Sequence, residues 1–171
     1  NNINTISLEH KMGLHGSPTA VLEYQNSKAW LIGQENRGMM AMFTMMNNAR
    51  LGVAVQGLSQ SELATQKSVE FAKNRKQGRN LNKADDINTP IINHADVRRN
   101  LLIMKSLTFI SRALCFDTAL AIDLSKITND PFLERKASFL TPIAKSFCTE
   151  MGSKIADLAI QIHGGMGYIE E

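Results

Sequence analysis

A run of basic side chains offers the most obvious binding chemistry in this 171-residue sequence. Its members are Lys73, Arg75, Lys76, Arg79 and Lys83, and no acidic residue interrupts them. One interpretation is structural, because cations near the C-terminal end of a helix interact favourably with the helix dipole. The other is a clamp for phosphate or pyrophosphate, since a guanidinium fork matches phosphate oxygens. Taken alone, the cluster favours the structural interpretation.

A second candidate is the glycine-rich segment Gly164-Gly165-Met166-Gly167. It follows a predicted helix, whereas the glycine motif of a dinucleotide-binding fold follows a strand and begins a helix. A Rossmann loop and a P-loop are therefore excluded. The segment is either a plain helix stop or a turn where the backbone approaches a flat or phosphorylated ligand closely.

Methionines crowd residues 39–46, near the start of the first long apolar-periodic stretch. They are Met39, Met40, Met42, Met45 and Met46, with Phe43 among them. Thioether side chains fill irregular gaps in protein cores, so the favoured prediction is core packing. The alternative is an adaptable pocket for an acyl chain.

Other common chemistries lack their residues. A di-iron bundle needs Glu followed by His three positions later, which occurs nowhere in this sequence. The four histidines, His10, His15, His94 and His163, are scattered without metal-ligand spacing. A GxSxG elbow is missing too. We predict that Cys115 and Cys148 are reduced core thiols, and we expect neither a metal site nor hydrolysis.

The elements that position these residues change character near residue 35. Before it, β-prone runs at residues 3–6 and 20–24, separated by turn residues, predict two or three short strands. Such strands either pack on the following helices or end a larger sheet. Because the sequence does not begin with Met, we expect the second arrangement.

Three long helices are predicted after residue 35. The first runs from Gly38 to about Arg75, on its apolar periodicity and lack of Pro. The second begins with Asn93 as the N-cap, in a variant of the capping box, and ends near Ser125. Asp130-Pro131 starts the third, which Gly164 ends. Pro142 predicts a kink or break in the third helix near Leu140.

The fold class that follows is mainly α, an up-down bundle of long helices preceded by a short β segment. The composition, 43% hydrophobic and 20% charged with a net charge of +3, excludes disordered and low-complexity proteins and does not require nucleic acid. Its apolar stretches are too short to cross a bilayer. We expect a cytoplasmic protein, and since the sequence ends at Glu170-Glu171, just after the glycine-rich turn, we expect a fourth helix to be missing.

Four segments together resemble the acyl-CoA dehydrogenase family. They are residues 11–19, residues 33–38 leading to 48–52, residues 72–77 and residues 161–168, in the family's order. Residues 93–99 and 166–171 are most similar to the branch that includes the bacterial methylmercaptopropionyl-CoA dehydrogenases. The resemblance implies the last strands of the middle β-domain at residues 1–35 and an incomplete C-terminal four-helix domain at residues 36–171.

The resemblance also implies the reaction, which is FAD-dependent α,β-dehydrogenation of an acyl-CoA thioester. In most of the family the base is a Glu in a Tyr-Glu-Gly-Thr motif downstream of the glycine-rich turn. We expect that base beyond Glu171, so no catalytic residue is assigned here. A fragment without it is expected to lack activity and to bind FAD weakly.

The resemblance implies roles for individual residues, matched by their positions in the family's motifs. Arg75 and Gln77 match residues that hold the FAD pyrophosphate from a neighbouring subunit. Residues matching the segment at the adenosine end of FAD are Gln161, Ile162, His163, Gly164 and Gly165. His94 and Ala95 match a further flavin-contacting pair. The CoA contact matches Asn47, Asn48, Ala49 and Arg50. After Gln77 the family often has Phe-Gly-Lys, and this chain departs with Gly78-Arg79.

The partners implied are an acyl-CoA substrate, an electron-transfer flavoprotein as electron acceptor, and further copies of the chain in a dimer or tetramer. Three alternatives remain open. One is a DNA alkylation-response flavoprotein of the same fold that holds DNA on a basic face. Another is an inactive helical interaction module. The third is an acyl-CoA oxidase, which differs in its electron acceptor.

Overall fold

A computed structural model describes residues 2–79 and 88–170 of the chain. The chain divides into two compact units, residues 1–41 and 42–171. Mainly helical architecture with a two-stranded sheet confirms the predicted fold class. Within the described residues, no helix is both long and apolar enough to span a membrane.

The first unit contains an antiparallel strand pair. Strand β1 covers Ile3–Leu8 and β2 covers Ala20–Tyr24, so β1 is two residues longer than predicted and β2 has the predicted bounds. The register is irregular between Thr5 and Ser7. In the connection, Lys11 Nζ donates hydrogen bonds to the carbonyl oxygens of Leu14 and Ser17.

Three long helices follow, α1 over Gly38–Asn74, α2 over Ala95–Thr128 and α3 over Pro131–His163. The helices α1 and α2 meet where Thr65 Oγ1 and Thr108 Oγ1 lie 3.2 Å apart. Between α2 and α3, Lys136 Nζ donates to Asp117 Oδ1 at 2.6 Å. The largest group of buried apolar residues draws on all three helices and the 3₁₀ turn Ile91–Asn93 that precedes α2: Ala72, Ile91, Leu101, Met104, Ile155, Ala159 and Ile162.

Glycines permit the closest approach of α1 to α3. A Cβ atom added at Gly57 would lie 2.5 Å from the carbonyl oxygen of Cys148. One added at Gly152 would lie 3.1 Å from the carbonyl oxygen of Gly57. Small buried residues, Ala54 and Ala144, pack beside this crossing with the two cysteines. The two helix backbones are therefore in direct contact there.

The predicted capping box at Asn93 is wrong. His94 occupies the N-cap position of α2, and its side chain makes no capping hydrogen bond. The side-chain amide of Asn93 instead donates through Nδ2 to Thr89 Oγ1 at 2.7 Å. At the other end, α2 continues to Thr128, and Asn129 ends it in the left-handed conformation with φ of 53°.

The start of α3 is as predicted, because Asp130 Oδ1 accepts a hydrogen bond from the Phe132 amide at 2.8 Å. A break near Leu140 is wrong, since α3 passes through Pro142 without interruption. Pro142 removes the donor to the Ser138 carbonyl. Both residues lie on the exposed side of α3. Water can satisfy that carbonyl, so the helix tolerates the proline.

Core packing of the methionine cluster is also wrong. Met39, Met40 and Met45 each expose more than 60% of their surface, and Met42 exposes 39%. The prediction failed because methionine side chains are typical both of cores and of adaptable surfaces.

Candidate functional site

The C-terminal ends of α1 and α3 meet around a groove of about 540 Å³. We call it the glycine groove. Its lining includes Arg75 and Gln77, just after α1, and the five predicted residues Gln161, Ile162, His163, Gly164 and Gly165. Residues that are far apart in the sequence but were assigned to the same ligand therefore share one cavity.

Backbone hydrogen bonds fix the Arg75 side of the glycine groove. The Gln77 amide donates to the carbonyl of Thr89 at 2.9 Å, and the Ile91 amide donates to the carbonyl of Arg75 at 2.8 Å. Thr89 is fully buried. Segment 75–77 is thus anchored against segment 89–91 just before α2.

Arg75 itself is exposed, and its closest side-chain contact is from Nη2 to Gln77 Oε1 at 3.5 Å. Among residues 2–79 and 88–170, no carboxylate forms a salt bridge with it. Its positive charge lines the groove. Lys83, the last member of the basic cluster, lies outside the described residues.

His94 supports this side from behind. Its Nε2 lies 2.7 Å from the Gln77 carbonyl oxygen. Gly78 has a positive φ of 75°, and a Cβ added there would come to 3.5 Å from His94 Cε1. His94 contacts Gln77 without lining the groove, whereas Ala95 lines a separate surface groove with Arg98 and Arg99. The structure does not bring Ala95 to the other predicted residues.

The opposite side of the glycine groove is aromatic and open. The His163 ring lies 4.4 Å from the Phe71 ring, centroid to centroid, and His163 Nδ1 lies 2.7 Å from the Ala159 carbonyl oxygen. Gly164 ends α3 with φ of 59°. A Cβ at Gly164 or Gly165 would have no atom within 4 Å, so a ligand can approach the backbone there.

A second groove, of about 440 Å³, holds the other predicted site and is called the arginine groove. Asn47, Asn48 and Arg50 line it, and Ala49 does not. Arg50 Nη1 donates to Asn47 Oδ1 at 3.1 Å, and its guanidinium carbon lies 5.7 Å from the Phe43 ring centroid. These contacts hold the guanidinium against the groove wall.

Sequence reasoning missed one cation in the arginine groove. Lys126, in the last turn of α2, lines it opposite α1, with Ser125 beside it and Glu134 from α3. No motif surrounds Lys126 in the sequence, because only the packing of α2 against α1 brings it to Arg50.

A third groove, of about 530 Å³, lies between α1 and α2 and was not predicted. Arg112 Nη2 donates to Glu62 Oε2 at 2.5 Å, and Gln66 Nε2 donates to Glu62 Oε1 at 2.6 Å. The hydrogen bonds from Arg112 and Gln66 hold the pKa of the Glu62 carboxyl below its ordinary value. Its charge is committed to the ion pair.

Across the two described ranges, no group of three or more His, Cys, Asp and Glu side chains is arranged to hold a metal ion. What the two predicted grooves do offer is positive charge, amide groups and open backbone, the chemistry of a phosphate-bearing organic ligand.

Comparison with protein families gives a match over residues 36–171 to the family described as "Acyl-CoA dehydrogenase, C-terminal domain". Among curated proteins, the 3-methylmercaptopropionyl-CoA dehydrogenase of Ruegeria pomeroyi is 44% identical over all of this chain and 30% of its own length. A subunit of the caffeyl-CoA reductase–Etf complex of Acetobacterium woodii, CarC, is 30% identical over 95% of this chain and 39% of its own length.

Among solved structures, butyryl-CoA dehydrogenase from Megasphaera elsdenii superimposes with a TM-score of 0.80 at 28% identity. The superposition covers 99% of this chain and 40% of that one. The chain thus spans less than half the length of these relatives.

Proposed function

The chain belongs to the acyl-CoA dehydrogenase family, and we propose that it supplies part of the cofactor and substrate sites of an enzyme that dehydrogenates an acyl-CoA thioester between its α and β carbons. The observation that carries the proposal is the glycine groove. It brings together an exposed arginine and an open glycine turn that lie 89 residues apart in the sequence.

FAD is the cofactor of this proposal, and when bound it would accept the hydride that leaves the β-carbon. The glycine groove fits the non-reacting part of such a ligand. Arg75, with no carboxylate partner among the described residues, would neutralise the pyrophosphate. Gln77 would donate through its side-chain amide, since its backbone N–H already donates to Thr89. The open backbone at Gly164 and Gly165 would admit the adenosine end.

The arginine groove would hold the CoA portion of the substrate. Arg50 and Lys126 place two cations around it, and coenzyme A carries a pyrophosphate and a further phosphate. Asn47 and Asn48 add amide donors and acceptors. No residue of this chain is assigned as the base that removes the α-proton.

The proposal extends to assembly and location. Residues 1–35 would belong to the middle β-domain and residues 36–171 to the C-terminal helical domain, in a dimer or tetramer where Arg75 and Gln77 reach the FAD of a neighbouring subunit. An electron-transfer flavoprotein would reoxidise the cofactor. The CarC relative, named for an Etf complex, supports that acceptor. The two free buried thiols fit the reducing cytoplasm.

A spectroscopic titration of the full-length protein tests this function. Acyl-CoA thioesters of varied chain length, including 3-methylmercaptopropionyl-CoA, are added anaerobically while the flavin absorbance is followed. We expect at least one thioester to bleach the flavin band and the free acids to leave it unchanged. A yellow protein that no thioester bleaches contradicts the proposed reaction, and air reoxidation as rapid as reoxidation by electron-transfer flavoprotein would identify an oxidase instead. The DNA-binding alternative is not favoured by the relatives found.

A further inference from the structure

Two cysteines from different helices meet in the interior of the bundle. Cys115 in α2 and Cys148 in α3 are 33 residues apart in sequence, and their sulfur atoms lie 3.6 Å apart. Cys115 exposes 4% of its surface and Cys148 none. Both are free thiols, as the sequence predicted, but nothing in their spacing indicated that they face each other.

Neither cysteine is explained by the proposed function. Both lie away from the glycine groove and the arginine groove, whose lining residues do not include them. Cys115, Cys148, Ala54 and Ala144 form a small buried cluster. The proposed function uses neither sulfur, and the reactivity of a cysteine rather than its packing usually decides its role, so the facing pair invites a chemical explanation.

The surroundings keep the Cys115 thiol protonated. Burial, together with the hydrogen bond and charge of Cys148, raises the pKa of Cys115 to about 12. The Cys148 thiol lies 3.7 Å from the carbonyl oxygen of Ser111, one helical turn before Cys115. Ser111 is fully buried, and its hydroxyl has no partner within the described residues.

We propose that Cys115 and Cys148 form a redox modification site, at which a hydroperoxide converts the two thiols into a disulfide that joins α2 to α3. The inference is independent of the proposed function. Contact between the sulfur atoms supports it, because they need to close only from 3.6 Å to about 2.05 Å.

The reaction balances in two steps. One sulfur attacks the peroxide oxygen, giving a sulfenic acid and water while its thiol proton passes to the leaving oxygen. The second sulfur then attacks the sulfenic sulfur, forming the S–S bond and releasing a second water. Overall, two thiols are oxidised by two electrons and one peroxide O–O bond is reduced. Because the second thiol is already in contact, ring closure precedes further oxidation.

Burial determines when this happens. The thiolate is the reactive form, and a protonated, shielded thiol reacts slowly. Oxidation therefore requires a local opening of the bundle that admits peroxide beside the two facing sulfurs, after which the disulfide joins α2 to α3. The fraction of chains that carry the disulfide then reports how much oxidant was present during such openings.

Peptide mapping of the full-length protein tests the site. The reduced protein is incubated with millimolar hydrogen peroxide in native buffer until its thiol titre stops changing, free thiols are alkylated in denaturant, and the unreduced digest is analysed by mass spectrometry. We expect a linked pair of peptides containing Cys115 and Cys148, lighter by two hydrogens than their sum, and its complete loss after reduction with dithiothreitol.

Single Cys115→Ala and Cys148→Ala variants are the matched controls. In each, the remaining cysteine must not appear in any intramolecular link, and we expect it to reach the sulfinic acid state, which the wild type avoids. Two wild-type results would overturn the proposal without reference to a variant. One is sulfinic acid at either position in place of the link. The other is two unmodified thiols under conditions that consume them in the urea-unfolded protein.

Discussion

At the scale of single residues, the glycine groove depends on side chains that have different kinds of support. Arg75 is exposed and makes only a long contact to Gln77, whereas the backbone beneath both residues is held by hydrogen bonds to Thr89 and Ile91. Charge and position therefore come from different groups. His94 belongs to the second kind, because it contacts the Gln77 carbonyl without lining the groove.

Removing the Arg75 charge should weaken cofactor binding. We expect Arg75→Ala to raise the Kd for FAD by about 10- to 100-fold, the usual value of a hydrogen bond to a charged group. Fluorescence titration of the full-length apoprotein measures this. Arg79→Ala is the matched control, since Arg79 belongs to the same basic cluster but does not line the groove. Equal losses in the two variants would indicate a general charge effect.

Truncating His94 should have a smaller effect of a different kind. His94→Ala removes the contact to the Gln77 carbonyl, and we expect about a fivefold rise in the Kd for FAD, typical of one neutral hydrogen bond. The same titration applies, with His10→Ala as a control at an exposed histidine that does not line the groove. An effect as large as that of Arg75→Ala would show that His94 contacts the ligand itself.

At the scale of elements, the bounds of α1 were predictable within one residue because the stretch has no proline, although its buried face is made mostly of small and hydroxyl residues. The N-cap of α2 was not predictable, since the side-chain amide of Asn93 donates to Thr89 instead of capping the helix. That partner is fixed by the return of the chain beside Lys76, where a bridge joins Lys76 to Pro90. The break predicted at Pro142 failed for a related reason, because the apolar periodicity cannot show that a proline faces solvent.

The crossing of α1 and α3 gives a prediction about glycine. Gly57→Ala places a methyl group 2.5 Å from the Cys148 carbonyl oxygen, so the backbones must separate. We expect a loss of about 1–3 kcal/mol in the free energy of unfolding, as for overpacked cores. Gly52→Ala is the control within α1, because its added methyl group has no atom within 4 Å.

That control should stabilise the protein by up to about 1 kcal/mol through helix propensity. Urea unfolding of both variants measures the difference. If Gly57→Ala were as stable as Gly52→Ala, the close approach of the two helices would be wrong.

The ion pair between α1 and α2 gives a pH dependence. Since the folded pKa of Glu62 is lowered, its pairing with Arg112 stabilises the fold above the unfolded pKa of about 4.5 and stops doing so as the pH falls through the folded value. We expect Glu62→Gln to be less stable than wild type at pH 7 and the difference to be smaller at pH 3. Urea midpoints at the two pH values measure this. Glu70→Gln, in the same groove but without a salt bridge in the described residues, should lose little at either pH.

At the scale of the whole molecule, the sequence proposed residues for both predicted sites but could not show how they meet. Arg75 and Gly164 are assigned to one ligand by resemblance, and the packing of the helix ends, including Phe71 against His163, brings them to one groove. Lys126 had no sequence signal, because its relevance depends on the angle at which α2 passes Arg50. The facing of Cys115 and Cys148 is likewise a property of helix register in the bundle.

The paired hydrogen bonds that anchor segment 75–77 to segment 89–91 also make opening of this junction measurable. The Gln77 N–H donates to the Thr89 carbonyl and the Ile91 N–H donates to the Arg75 carbonyl, so both protons are protected from exchange while the two segments stay together. Deuterium uptake at these two positions therefore reports local opening beside Arg75 separately from unfolding of the whole bundle.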